Sequence, residues 1–399
     1  MATLTFETLS FTDEKEQLKI LFLKSFSCTI AKQDLQKLGT YHVHKNSIEF
    51  PEASEKKAVH VFSILLEKAF QNLTSIVTGK RTVYIHKNSG IPLLGTRFIG
   101  IQDRGTTFLE LKPITGCIMG CSFCSVDEGI GSKKLCDFFV EREYLVEVTK
   151  KLLDFKKCAD MHIYINPHGE PLLYPEITEL IKDLKAIQWI KTITVITTGA
   201  MLTQKKIDEL ADAGLDELNI SLHAIDAELA KKLMGNPAYN VKHVLDMIQY
   251  AAKKTKVTLA PVLVPGINDA EMEKIIAFAK KIPVRIQKFC YNALGRNPVK
   301  EESWDDFFTK LKQLEHKANV KLQGDIEICN FEKTKEYAVP FTRKEIVTAE
   351  IKCRGRYSYE RLAVCKNRVI TIPRCKQDSG KIKVQITHSS HNVIIGECI

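Results

Sequence analysis

The sequence predicts an α/β fold. A full or partial (β/α)6 barrel over residues 101–330 follows an α+β region (1–100) and precedes a linker (331–343) and a small OB-like β-barrel (344–399). Three observations carry this reading. From Thr107 onward, short apolar runs alternate with amphipathic segments, the pattern of parallel strands joined by helical crossovers. Beyond Pro340 the alternation gives way to five closely spaced strand-like runs, as in a small antiparallel barrel. The 399 residues are 44% hydrophobic and 27% charged, which supplies two or three domains with a real core and excludes disordered and low-complexity classes.

Taken in order, residues 57–73 predict a helix, with Val59, Phe62, Leu65, Leu66 and Phe70 on one face, and 81–86 predict a strand. No motif in residues 1–100 assigns them chemistry. Six barrel strands are expected at 108–111, 161–165, 193–197, 217–222, 256–264 and 284–289. Helices are expected between them at 140–156, 175–184, 204–213, 241–254 and 271–281, and after the last strand at 304–316. Thr203 and Asn240 are suitable N-caps, and Asn268-Asp269-Ala270-Glu271 has the form of a capping box. Right-handed crossovers bring the C-terminal strand ends to one side, so chemistry is expected there. The five C-terminal strands are expected at 346–353, 361–365, 369–372, 381–387 and 393–397.

The N-terminus carries no basic, then apolar, leader pattern, and no apolar stretch reaches ~18 residues, which predicts a cytoplasmic protein with no membrane span. Twelve cysteines without such a leader point to metal or redox chemistry rather than disulfides. Cys117, Cys121 and Cys124 form a C-x3-C-x2-C array directly after the first barrel strand. Three thiolates in one loop suit an iron–sulfur cluster with one iron left open. The competing reading is zinc, which prefers four ligands. Gly116 and Gly120 let this loop wrap tightly.

On these residues, with the aromatic Phe123 before the third cysteine, the sequence resembles the radical SAM superfamily over about residues 101–300. The resemblance implies one [4Fe-4S] cluster whose open iron binds S-adenosyl-L-methionine. One-electron reduction, from a donor such as ferredoxin or flavodoxin, then cleaves it to a 5′-deoxyadenosyl radical. Gly169-Glu170-Pro171, after the second strand, matches the family's G-E-P turn, which implies that backbone and carboxylate hold the methionine ammonium. His168 stands where many members have a further Gly. Thr197-Thr198-Gly199 ends the third strand where the family often reads T-N-G. Ser221 and His223 end the fourth, where a serine commonly meets the cofactor's carboxylate or ribose, and Gly266 ends the fifth, where backbone meets adenine. Read as residues alone, each of these is also an ordinary strand-to-helix turn. Cys290, past the sixth strand, is a candidate hydrogen donor to a substrate radical, set against an inert buried cysteine.

From Phe341 to the C-terminus there are 12 Lys and Arg against 5 Asp and Glu, so +7 of the chain's +10 lies in this segment. Its Arg361-Leu-Ala-Val364, Asn367-to-Pro373, Gly380-Lys-Ile-Lys-Val384 and His391-to-Glu397 runs resemble the TRAM domain, and the whole chain resembles archaeal radical SAM proteins that carry one. That implies RNA binding, and the charge supports it separately. The expected function is radical modification of a nucleotide in tRNA or another RNA. The alternatives are a peptide, lipid or small-metabolite substrate, or a non-enzymatic zinc- and RNA-binding protein. Methylthiotransferases hold a second cluster on three N-terminal cysteines, but residues 1–100 contain only Cys28. Cys329, Cys353, Cys365 and Cys375 leave an auxiliary C-terminal cluster as a minor expectation.

Overall fold

The structure is a computed structural model and describes residues 1–322 and 331–399. The chain forms two compact units: Met1–Ile85 with Leu135–Phe139, and His86–Lys134 with Val140–Ile399.

The first unit holds β1 (Ala2–Thr5), β2 (Leu9–Asp13), β3 (Gln17–Phe22), β4 (Phe26–Ala31), α1 (Lys32–Leu35), β5 (His42–Val43), β6 (Ser47–Phe50), α2 (Glu55–Phe70), β7 (Thr74–Ser75) and β8 (Arg81–Ile85). Apolar residues alternate along β3 and β4, so Leu18, Ile20, Phe26, Cys28 and Ile30 are buried at the period of two that a pleated strand imposes. α2 packs on β1 and β4 through Ala58, Phe62, Leu65 and Ala69. Its first turn is capped by Ser54, which accepts the Lys57 N–H at 3.4 Å.

The second unit begins with β9 (Gly100–Asp103) and β10 (Phe108–Lys112). β11 (Cys136–Val140) lends its first four residues to the sheet of the first unit, beside β8. There follow α3 (Arg142–Lys156), β12 (Met161–Ile165), α4 (Ile177–Lys185), β13 (Ile190–Thr197), α5 (Gln204–Asp212), β14 (Glu217–Ile220), α6 (Ala227–Met234), α7 (Val241–Ala251), β15 (Lys256–Leu259), β16 (Val262–Leu263), α8 (Asp269–Ala279), β17 (Gln287–Lys288) and α9 (Trp304–Ala318). The sheet order is β15-β14-β13-β12-β10-β9, with β10 to β15 parallel and β9 antiparallel at the edge. Leu109, Leu111, Ile163, Ile165, Ile193, Val195, Leu218 and Ile220 are fully buried, as in a sheet covered on both faces.

Three expectations need correction here. The single fifth strand breaks at Ala260-Pro261, because proline has no N–H to give a ladder, and becomes β15 and β16. The sixth strand shrinks to β17, paired with β16, plus one bridge between Leu259 and Val284. At the start of α8 no side-chain cap forms. Asn268 instead turns inward, accepting the Val264 N–H and donating to the His223 and Val262 carbonyls at 2.8–2.9 Å, while Glu271 accepts the Ile225 and Asp226 N–H groups. Thr203 and Asn240 do cap α5 and α7.

The C-terminal strands β18 (Ile346–Arg354), β19 (Arg361–Cys365), β20 (Arg368–Ile372), β21 (Gly380–Ser390) and β22 (Val393–Cys398) close into a barrel in the order β18-β19-β20-β22-β21. Val347, Ala349, Ile351, Ile370, Ile372, Val384, Ile386 and Ile394 fill it. Register shifts near Ile351 and Ile386 bend the long strands β18 and β21. The barrel is fastened to the rest of its unit. The Val369 and Ile394 N–H groups donate to the Leu94 and Gly95 carbonyls at 2.9 and 2.8 Å. Gly95 has φ +129°, and a Cβ there would lie 2.0 Å from the Val369 oxygen, so only glycine permits this approach. The preceding segment is pinned as well. Thr334 donates its N–H to the Gly105 carbonyl at 2.8 Å. The fully buried Lys156 ammonium joins Asp103, Thr334 and the Lys335 carbonyl at 2.7–3.0 Å. Among the described residues no helix is long and apolar enough to cross a membrane.

Candidate active site

The cysteine loop follows β10 at the C-terminal edge of the parallel strands. The Met119 and Glu128 N–H groups donate to Cys117 Sγ and Cys124 Sγ, both at 3.4 Å. Two elements grip this loop. Ser122 and Gly120 donate their N–H groups to the Leu233 and Met234 carbonyls at 2.9 Å, using acceptors that the end of α6 leaves open. Arg296 bonds Asp127 at 2.7 Å and the carbonyls of Cys121, Glu128 and Ile130 at 2.9–3.2 Å. Sequence reading singled out neither α6 nor Arg296. The Asp226 N-cap and Gly235 C-cap of α6 are local signals that mark it. Arg296, 172 residues beyond Cys124, has none.

Burial pushes the Cys121 thiol up to about 12, with the charge of Cys124 adding to it and Arg296 opposing. Burial, then the Glu170 carboxylate, raises Cys117 well above the usual thiol range, against the Met119 N–H. These thiols release protons when a metal replaces them. Among the described residues no three His, Cys, Asp or Glu side chains close on a single-ion position. An iron–sulfur cube takes thiolates at separate corners, whereas a zinc ion draws its ligands around one point.

At the end of β12 the chain turns back on this loop. Gly116 and Gly169 form a parallel bridge, and the Glu170 N–H donates to the Gly116 carbonyl at 2.9 Å. Gly169 has φ +147° and a Cβ there would lie 1.9 Å from that oxygen, so this contact requires glycine. Pro171 then opens a buried single turn. The fully buried Glu170 carboxylate departs from expectation. Oε1 accepts from the Leu172 N–H and Thr197 hydroxyl, and Oε2 from the Thr198 N–H and hydroxyl, at 2.6–3.2 Å. Those four donors fill its acceptor capacity. Glu170 thus ties the turn after β12 to the end of β13. Thr197, expected at the cofactor, spends its hydroxyl on Glu170 and on the Gly199 N–H. Thr198, the departure from T-N-G, supplies two of the four bonds.

Ser221 ends β14 half-buried, its hydroxyl without a hydrogen bond among the described residues, so it remains open to a ligand. His223 is buried and its Nδ1 accepts the Val262 N–H at 3.0 Å, while its ring meets Phe123 edge-on at 4.8 Å. Burial lowers it to about 4, so it is neutral and holds Phe123 in place. Gly266 is exposed and gives its N–H to Asp269 at 2.6 Å. The Cys290 thiol donates to the Lys288 carbonyl at 3.7 Å on its own segment. The Cys375 thiol donates to the Gln377 carbonyl at 3.4 Å, and Cys329 lies outside the described residues.

One further group reaches this edge from the C-terminal barrel. Arg356, 4% exposed, stacks 4.0 Å over the Phe98 ring and points Nη1 at His168 Nδ1, 3.4 Å away. Burial first, then the charges of Lys112, Arg356, Lys134 and Arg97, drives His168 well below the usual histidine range.

The sequence model of the radical SAM superfamily matches residues 111–279, from the end of β10 to the end of α8. The chain carries a radical SAM domain. It is 34% identical over 382 residues to uncharacterized protein MJ0103 of Methanocaldococcus jannaschii, covering 88% of each. It is 29% identical over 216 residues to the GTP 3′,8-cyclase of Lactiplantibacillus plantarum, covering 53% of this chain and 61% of the cyclase. Among solved structures, TYW1 with a lysine-pyruvate adduct bound is 16% identical with a TM-score of 0.39, over 77% of this chain and 85% of that one. SuiB of Streptococcus suis bound to precursor peptide SuiA is 13% identical with a TM-score of 0.42, over 80% and 71%.

As a radical SAM enzyme the chain uses a [4Fe-4S] cluster and S-adenosylmethionine, which overturns the reading as a non-enzymatic zinc protein. Its residues fit that use. Cys117, Cys121 and Cys124 would hold the cluster, with the Met119 and Glu128 amides at two sulfurs to tune it. The cofactors supply hydrogen-abstracting radical chemistry, and the chain binds, orients and shields.

Proposed function

We propose that this radical SAM enzyme modifies a nucleotide of RNA, with tRNA the first candidate, and that the C-terminal barrel holds the nucleic acid beside the strand ends. One observation carries the reading: the segment with +7 of the net charge folds into a closed barrel fastened within the same unit as the cysteine loop. Arg343, Arg354, Arg374, Lys376, Lys381 and Lys383 are exposed on it, available to phosphates. Tyr359, exposed and stacked on Tyr357 at 5.5 Å, offers a ring face to a base. A cytoplasmic ferredoxin or flavodoxin is the proposed electron donor. Cys290 as hydrogen donor stays a secondary proposal, tested by product formation in Cys290→Ala.

Wild-type enzyme should bind tRNA with log affinity falling against log salt at a slope of about −3 to −5, for ~4 to 6 phosphates. Neutralising the six exposed cations should flatten that slope. Mass spectrometry of nucleosides should reveal one modification missing from RNA of cells lacking the gene. Identical nucleoside profiles, with no tRNA binding, would turn the reading toward a small-molecule or peptide substrate.

A further inference from the structure

We propose that Arg356, with His168, Lys112, Lys134 and Arg97, forms a binding site for a phosphate group of the substrate, built jointly by the C-terminal barrel and the cysteine-bearing strands. The proposal rests on the nucleotide reading above and deepens it.

The first argument is hydrogen-bond supply. A guanidinium has five N–H donors. Arg356 is nineteen-twentieths buried, yet one donor alone has a partner among the described residues, His168 Nδ1, and Nε is fully enclosed without a hydrogen bond. Glu360 does not satisfy it. Its Oε2 lies 3.6 Å from Nε and instead accepts the backbone N–H of Arg356 at 2.7 Å. Buried donors in a native protein are paired, by protein, water or ligand, because leaving them bare is costly.

The second argument is charge. The charges of Lys112, Lys134 and Arg97 act on His168 together with that of Arg356, and Arg97 and Arg356 act on each other. Lys134 pairs with Glu128 and donates to the Val126 carbonyl, and Lys112 donates to the Asn166 carbonyl at 2.7 Å, which holds both in place. With Glu110 beside Lys112, Glu128 beside Lys134 and Glu360 beside Arg356, the four cations on separate elements keep donors beyond those pairs, which suits a tetrahedral phosphate better than a planar carboxylate that one arginine fork satisfies. Phe98 fixes the guanidinium plane by stacking.

The test uses reconstituted, cluster-loaded enzyme under anaerobic conditions, with pyrophosphate as the calorimetric probe. Arg356→Gln should weaken pyrophosphate about tenfold or more, with iron content unchanged. Arg354→Gln, on the exposed face of the same barrel, should change it less than about twofold. S-adenosylmethionine should not displace the probe. Arg97→Gln, at an exposed position, supplies the measurement if Arg356→Gln does not fold, and should also weaken binding. Wild-type affinity in a folded Arg356→Gln, equal losses in Arg354→Gln, displacement by S-adenosylmethionine, tighter binding of malonate than of pyrophosphate, or no binding by wild type would each overturn the site. Since the probe is not RNA, pyrophosphate binding without tRNA binding would refute the RNA reading and leave this site standing.

Discussion

Glu170 and His168 are two residues apart, yet they meet two differently built regions. Around Glu170 a buried carboxylate faces four donors, all within the strand ends of β12 and β13. Around His168 a buried guanidinium arrives from a barrel 188 residues away and finds one acceptor. The first region is complete as it stands, and its job is to fix the turn that approaches the cysteine loop. The second is incomplete, and such a deficit marks where a ligand belongs.

That contrast can be broken or sharpened. The largest effect should come from replacing Cys117, Cys121 and Cys124 together with alanine: about four irons and four sulfides per chain in the wild type, and essentially none in the variant, by metal and sulfide analysis. Glu170→Ala strands four donors and should destabilise the fold by about 3 to 4 kcal/mol in denaturant unfolding, as expected of a complete structural hub. Unchanged stability with weakened cofactor binding would restore its carboxylate to the ammonium.

A pH effect comes next. Unfolded His223 takes up its proton near the ordinary 6.5, but the folded protein resists until about 4 because the ring is buried. Between those values the unfolded chain binds more protons, so stability should fall as pH drops through that window, by up to about 3 kcal/mol. His223→Gln should remove its own share of this slope in urea unfolding between pH 8 and 5, leaving the part that His168, also held below the usual histidine range, contributes. Thr198→Val, which deletes one hydroxyl bond to Glu170, should cost about 1 to 2 kcal/mol by thermal melting. Arg356→Gln should come last, within about 1 kcal/mol of wild type without ligand, because removing a poorly paired buried charge relieves as much as it loses. A loss as large as that of Glu170→Ala would make the two regions alike.

Local pattern was enough for the alternating strands and helices, for the five strands of the C-terminal barrel, and for the three-cysteine loop, because each leaves a periodic or spaced trace over a few residues. Met161–Ile165 and Arg361–Cys365 have the limits their apolar runs define. The sequence also announced that charge gathers beyond Pro340. Tertiary structure alone decided what those parts do to one another. It joined Glu170 to Thr197 and Thr198 as a clasp between strand ends, spent the Gly266 amide on Asp269, set Arg296 on the cysteine loop, and carried Arg356 to His168. The physical reason is common to all four. A buried polar group must find its partner in space, and where that partner lies tens or hundreds of residues away, or competes with a nearer one, no local pattern records the choice.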